Sequence, residues 1–180
     1  MNYSFLSVAS LDRVDSTDQG TRVVLPNPVS ADFAVMRNSL VPQMIESLGR
    51  NFARQMTEAR FFEIGRVFLK DPATGSLREE ERVCLAIMGK AVREGIKGKS
   101  PVTEEEMFLH LKGALNAFCE ARGVQSVALS RRDRQFCESG WALNVSLEGR
   151  TIGFLGLLGW PIRKTWKVME HIGIAELTLE

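Results

Sequence analysis

Residues 27–68 read NPVSADFAVMRNSLVPQMIESLGRNFARQMTEARFFEIGRVF, and this stretch decides the fold. Pro42 suits the first turn of a helix, where its missing N–H has no partner to lose. After it, Met44, Ile45, Leu48 and Phe52 recur at helical spacing and draw one apolar stripe. Arg50, Asn51 and Arg54 fall mostly off that stripe. The spacing predicts a helix over 42–55 and a long β-rich run over 60–69.

Working outward, alternation or short apolar runs predict further strands over 3–8, 21–25, 82–88, 142–147, 151–158 and 173–179. Glu148-Gly149 stands between two of these runs as a hairpin turn. Asp71-Pro72 with Gly75 marks one loop, and the Gly/Lys-rich stretch over 95–101 marks another. Thr103 and Glu106 form a capping box ahead of a second helix, whose buried face carries Phe108, Leu111, Leu115 and Phe118. Gly123 stops it. A third, shorter helix is expected from Pro161, carrying Trp166 and Met169. Strands clustered around two main helices, with no repeating βαβ rhythm, argue for an α+β domain built on an antiparallel β-sheet flanked by helices. No Pro- or Gly/Ser-rich linker divides the 180 residues, so one domain over 1–180 is expected.

Composition narrows the function. With 23 basic and 22 acidic residues the net charge is +1, too little field to grip nucleic acid strongly. Cys84, Cys119 and Cys137 are an odd count without CxxC spacing, which reads as free buried thiols in a reducing cytosol. No apolar run approaches the roughly 20 residues that cross a bilayer, and the N-terminus lacks a signal peptide's pattern. A cytoplasmic protein without a membrane partner is expected. The chain opens on the strand-like YSFLSV and stops on IAELTLE, as a piece excised from a longer polypeptide would.

The residues that could carry chemistry do not converge in sequence. His110 and His171 stand far apart, and neither has a Cys or second His nearby, so no zinc pattern forms. No GxSxG elbow occurs. Glu104-Glu105-Glu106 open a helix, where carboxylates favour the positive end of its dipole, and Glu79-Glu80-Glu81 read as a solvated face. Gly98-Lys99-Ser100 imitates the end of a P-loop, but Arg93 stands where its leading glycine belongs and Pro101 blocks the helix. Gly153, Gly156 and Gly159, spaced by three, would alternate between faces of a strand, so they admit close neighbours or a bulge rather than a nucleotide. Local basic clusters at Arg131-Arg132 with Arg134, at Arg93, Lys97 and Lys99, and at Arg163-Lys164 with Lys167 read first as solvated surface. The expectation is that no catalytic, cofactor or metal residues lie in this domain.

Several of these segments fit one family pattern. Asn27, Pro28, Ser30, Met36, Arg37, Ser39, Leu40, Pro42, Asn51 and the run Phe62-Glu63-Ile64-Gly65-Arg66 resemble the synthetase-like core of the bacterial phenylalanyl-tRNA synthetase β subunit, with its NPLS, MRxSLLPGLL and RLFEIGRVF segments. NYSFLS is similar to the family's TYSF strand, FLHLKGALNAF to its FFDLKGxLExL helix, and GRTIGFLGLL and AELTLE to its last strands. Two segments depart: FCESGWALNV stands where the family carries HPGRxA, and GLLGWP replaces its GxLHP without the His.

The resemblance implies a class II synthetase-like core without a functional active site. It further implies a module that supports ATP- and Mg2+-dependent attachment of phenylalanine to tRNA(Phe) by a catalytic α subunit, within an (αβ)₂ heterotetramer and beside other domains of the β chain. By the same resemblance the helix after Pro42 takes the place of the class II dimerisation helix. Met44, Ile45, Leu48 and Phe52 are then expected to face the core in part, with Arg50, Asn51 and Arg54 near the α subunit. Two readings of other classes stand beside it: an autonomous RNA-binding module using Lys97, Lys99, Arg131, Arg132 and Arg134, and a small independent enzyme.

Overall fold

The computed structural model describes residues 3–14, 20–89 and 102–179. The expected loop over 95–101 and the basic residues Arg93, Lys97 and Lys99 lie outside the described residues. The fold is α+β, as the sequence implies.

A small ribbon comes first. Strand β1 (Phe5–Leu6) pairs antiparallel with β2 (Val35–Met36), and Val24 bridges to Val35. The strand expected over 3–8 is therefore shorter, because Ser7 accepts from the Ser10 N–H and caps a five-residue helix, α1 (Val8–Asp12). The strand expected over 21–25 is reduced to that single bridge.

Helix α2 (Val41–Phe52) then feeds β3 (Ala59–Lys70), which pairs in continuous register with β4 (Leu77–Met88) from Ala59–Met88 to Lys70–Leu77. Helix α3 (Glu104–Ala121) begins on the expected capping box, with Thr103 and Glu106 bonding each other's backbone N–H groups. After it come β5 (Ala128–Arg131), β6 (Cys137–Leu147), β7 (Arg150–Leu158), α4 (Trp160–Thr165) and β8 (Ile172–Thr178). The six-stranded sheet runs β3-β4-β8-β7-β6-β5 with every pair antiparallel. At the β6–β7 turn, Glu148 and Gly149 have φ of 51° and 82°, the left-handed pair a two-residue hairpin requires.

Helix α2, with α4 beside it, covers one face of the sheet, and α3 covers the other. Cys84, Ala86 and Met88 of β4 and Ile172 and Ile174 of β8 point toward α2 and meet Met44, Ile45 and Leu48. Their neighbours Val83, Ile87, Ala175 and Leu177 point the other way and meet Met107, Leu111 and Leu115 of α3. Burial on both faces explains why residues 83–88 of β4 and most of β8 read as near-continuous apolar runs rather than alternations. Each fully buried Leu or Ile contributes about 1.5–3 kcal/mol relative to exposure.

Helix α4 ends earlier than expected. Trp166 is its C-cap and Lys167 turns left-handed at φ 57°, so Met169 lies beyond the helix and is 65% exposed.

Candidate functional site

A cleft with charged walls lies where the N-terminus of α2 meets β4, β7 and β8. It encloses about 380 Å3, with Asn38, Ser39, Glu80, Arg82, Arg134 and Glu176 among its lining residues. Glu176 enters from β8, on the face whose neighbours Ile172 and Ile174 are core residues, and is only 5% exposed. A carboxylate so placed needs partners. It has them: Oε1 accepts from the Leu40 N–H at 2.5 Å and from Ser39 Oγ at 3.0 Å, and Oε2 from Arg82 at 3.1 Å.

These contacts close the start of α2. Leu40 is the N-cap residue and its side chain offers no capping acceptor. Glu176 supplies one from the sheet, and its charge suits the positive end of the helix dipole. Arg82 is held in turn by Glu80 at 2.7 Å and donates to the Asn38 carbonyl at 3.2 Å. Glu80 also pairs with Arg78. Burial opposes the charge on Arg82, but the attraction of Glu176 and the hydrogen bond to Glu80 outweigh it and raise its pKa.

A second network ties the preceding segment to β3. Arg37 donates to the Arg66 carbonyl at 2.8 Å, to Gln43 at 2.9 Å and to Glu63 at 2.7 Å. Gln43 donates to the Tyr3 carbonyl at 2.6 Å. At the corner after β7, the buried Arg163 ties the turn together. It donates to the carbonyls of Leu158, Met169 and Glu170, each at 3.1 Å, and pairs with Glu138 at 3.4 Å.

The residues singled out in sequence fall into separate places. Met44, Ile45 and Leu48 are buried in the chain's own core, and Phe52 packs against it half-buried. Arg50 is exposed, pairing with Glu46 at 3.5 Å and Ser47 at 2.9 Å; Asn51 donates to the Ser47 carbonyl at 2.8 Å; Arg54 is exposed. Arg131 and Arg132 are exposed at the end of β5, whereas Arg134 turns inward over the Phe154 ring at 4.3 Å and donates to Asn144. The three arginines therefore do not make one patch.

The glycine ladder has a structural reason. A Cβ on Gly153 would collide with the Glu176 carbonyl and lie 2.8 Å from Leu177 Cα, and one on Gly156 would lie 2.8 Å from both Cys137 Sγ and the Trp141 carbonyl. The β6–β7 register also shifts at two places. Close neighbours account for Gly153 and Gly156, whereas a Cβ on Gly159 would meet only ordinary contacts at 3.5 Å and beyond.

What the cleft can do chemically follows from its donors. Glu80 and Glu176 are each bonded to Arg82, and among the described residues no group of three His, Cys, Asp or Glu side chains converges. That donor set does not suit Mg2+, which takes free carboxylates beside substrate phosphates. Cys84, Cys119 and Cys137 all have raised pKa values, chiefly through burial, with Cys137 pushed up to about 12. Such thiols are poor nucleophiles. No described helix is long and apolar enough to cross a membrane.

The sheet and its flanking helices define a domain of the class II aminoacyl-tRNA synthetase fold. The chain superposes on pyrrolysyl-tRNA synthetase structures from Desulfitobacterium hafniense with TM-scores of 0.74 and 0.73 at 16% and 14% identity, covering 99% of this chain and 59% of each of those. The family model of the phenylalanyl-tRNA synthetase β chain CLM domain matches residues 1–179, and the chain belongs to that family. Among its relatives is the phenylalanine–tRNA ligase β subunit of Xanthomonas axonopodis pv. citri, 35% identical over 180 residues. The corresponding subunit of Clostridium acetobutylicum is 26% identical over 184 residues. The chain spans 22% of the length of each of these relatives.

Proposed function

We propose that this chain is a non-catalytic structural and subunit-interface module of phenylalanyl-tRNA synthetase, working in the cytoplasm beside an α subunit that joins phenylalanine to its tRNA with ATP and Mg2+. The single observation that carries the reading is the Glu176–Arg82–Glu80 triad. The two buried carboxylates of the cleft and Arg82 between them are spent on each other and on the start of α2. The chain's own carboxylate sits where a helix N-terminus would otherwise favour an external anion.

The contact with α falls to the outer face of α2. Its apolar stripe is committed to the sheet, which leaves Arg50 and Asn51, with Arg54 in the turn that follows the helix, for a partner. The test is made on the full-length β polypeptide, purified alone and with α. ATP–pyrophosphate exchange should require α, and exchange by β alone would overturn the non-catalytic reading. Reversing Arg50 and Arg54 to Glu should weaken α binding without unfolding β; undiminished assembly would sink the interface assignment. RNA contact through Arg131 and Arg132 is the alternative, and it calls for salt-steep tRNA binding that is lost when both become Ala.

A further inference from the structure

Strand β3 ends the six-stranded sheet, so among the described residues one of its edges has no neighbouring strand. Half of that edge is already covered by the chain itself. Phe68 donates to the Arg37 carbonyl at 2.8 Å, Lys70 to the Thr21 carbonyl at 2.8 Å, and the Arg66 carbonyl accepts from the Arg37 side chain. Outward-pointing groups therefore belong to even-numbered residues. The β3–β4 register is continuous from Ala59 to Lys70, so the same parity turns the backbone N–H and C=O groups of Arg60, Phe62 and Ile64 outward along the uncovered half.

Their side chains share the face of Ile87, Leu85 and Val83, the residues opposite them on β4, which is the α3 face. Yet α3 does not reach them: Phe62 is 73% exposed, Ile64 50%, and Leu109 on α3 56%. A groove of about 430 Å3 runs between strand and helix, with Arg60, Phe62, Leu85, Ile87, Leu109 and Gly113 along it. Gly113 is the second clue. A glycine inside a helix is unfavourable, and a Cβ there would meet nothing within 4 Å. Among the described residues, none requires a glycine at that point, whereas a polypeptide backbone pressed against the helix would.

We propose that the Arg60–Ile64 edge and the Gly113 groove receive an added β-strand from the remainder of the same polypeptide, an extended segment with alternating apolar side chains and a carboxylate opposite Arg60. This rests on the reading of the chain as part of a synthetase β chain, whose relatives are several times longer. Tethering is what the size of the site demands. Three outward backbone positions and three exposed apolar side chains fall far short of the 20–30 residues a side in a stable interface between free partners. A covalently linked segment acts at an effective concentration on the order of millimolar and needs no more. Backbone pairing gives the strand its hold, and the pockets beside Phe62 and Leu109 choose its side chains.

The experiment places p-benzoylphenylalanine at Phe62 in the full-length polypeptide co-expressed with α, with a second probe at the fully exposed Val29 as control. Irradiation should join position 62 to a peptide of the same polypeptide outside this domain, as mass spectrometry would read it. An adduct on α, on a second copy of the chain, or none above the Val29 control overturns the proposal. Gly113→Leu in the same full-length protein gives an independent reading. Leucine favours helix, so the melting temperature stays or rises if the groove holds only water, which would count against the strand. It falls by several degrees if a backbone lies there. Whether α co-purifies is scored in the same preparations: its absence would sink the synthetase reading while leaving the crosslink result to stand alone.

Discussion

The Glu176 carboxylate on β8 accepts from the backbone N–H of Leu40 at 2.5 Å, so the N-terminus of α2 is capped by a residue 136 positions further along the chain. Helix and sheet are thereby locked together by a charge rather than by packing alone. Removing it with Glu176→Ala leaves Arg82 buried with one carboxylate fewer and the Leu40 N–H without its acceptor. The expected loss is about 3–5 kcal/mol, as for other broken buried pairs. Glu176→Gln keeps an acceptor for Leu40 and should lose less, about 1–3 kcal/mol. Urea unfolding followed by tryptophan fluorescence measures both. Equal losses would mean that the charge itself is immaterial.

Gly153 tests the meaning of the glycine ladder. In an open strand, replacing Gly by Ala stabilises by about 0.5–1 kcal/mol. Here the added methyl would press on the Glu176 carbonyl and on Leu177 Cα, moving the strand that carries the cap. Gly153→Ala should therefore destabilise, by about 1–3 kcal/mol. Gly159→Ala, whose nearest neighbour would be 3.5 Å away, should stay within about 0.5 kcal/mol. Thermal melts of the two variants decide it, and a stabilised Gly153→Ala would return the ladder to a functional explanation.

The two halves of the fold were legible to different degrees. Helix α2, β3 and the Glu148-Gly149 hairpin stand in sequence because their periodicity and turn residues are local and strong. The class II-type antiparallel sheet followed from their order and from the family pattern. Strand β5 was not anticipated: it is four residues long, at the sheet edge, and runs into Arg131-Arg132, so it carries little apolar alternation. Ser7 looked like a strand residue but caps α1. Read as a solvated face, Glu79-Glu80-Glu81 hid the one member, Glu80, that is 5% exposed and bound to Arg82. No local signal could have found the triad, because Arg82 and Glu176 are 94 positions apart. The sole hint was a Glu inside the otherwise apolar IGIAEL run.

Arg163 ties the corner between β7 and β8 together. Its guanidinium reaches three carbonyls and Glu138 and lies 5.4 Å from the Trp160 ring centroid. A lysine has the charge but a single nitrogen, which cannot span these acceptors. Arg163→Lys should cost about 2–3 kcal/mol, reflecting carbonyls left without donors. The change should also appear in the near-ultraviolet circular dichroism of Trp160. A lysine variant as stable as the parent would show that the corner is held by packing.

The three cysteines make a pH prediction with a definite sign. Cys137 is protonated up to about 12 in the folded chain, against 9.0 ordinarily; burial is the main cause, Arg134 opposes it, and Glu138 adds to it. Between those values the folded state binds more protons than the unfolded one, so stability falls as pH rises. The contribution is complete below about 9 and is lost through the window up to about 12, at no more than about 1.4 kcal/mol per pH unit for one thiol. Cys137→Ala should flatten the decline of the urea midpoint between pH 9 and 11, and an unchanged slope would acquit this thiol. Cys84, raised well above its ordinary value by burial and then by Glu176 and Glu63, should resist iodoacetamide at pH 8 until the chain unfolds. Cys119, raised by burial alone and lining an open cleft beside α3, should be alkylated first of the three.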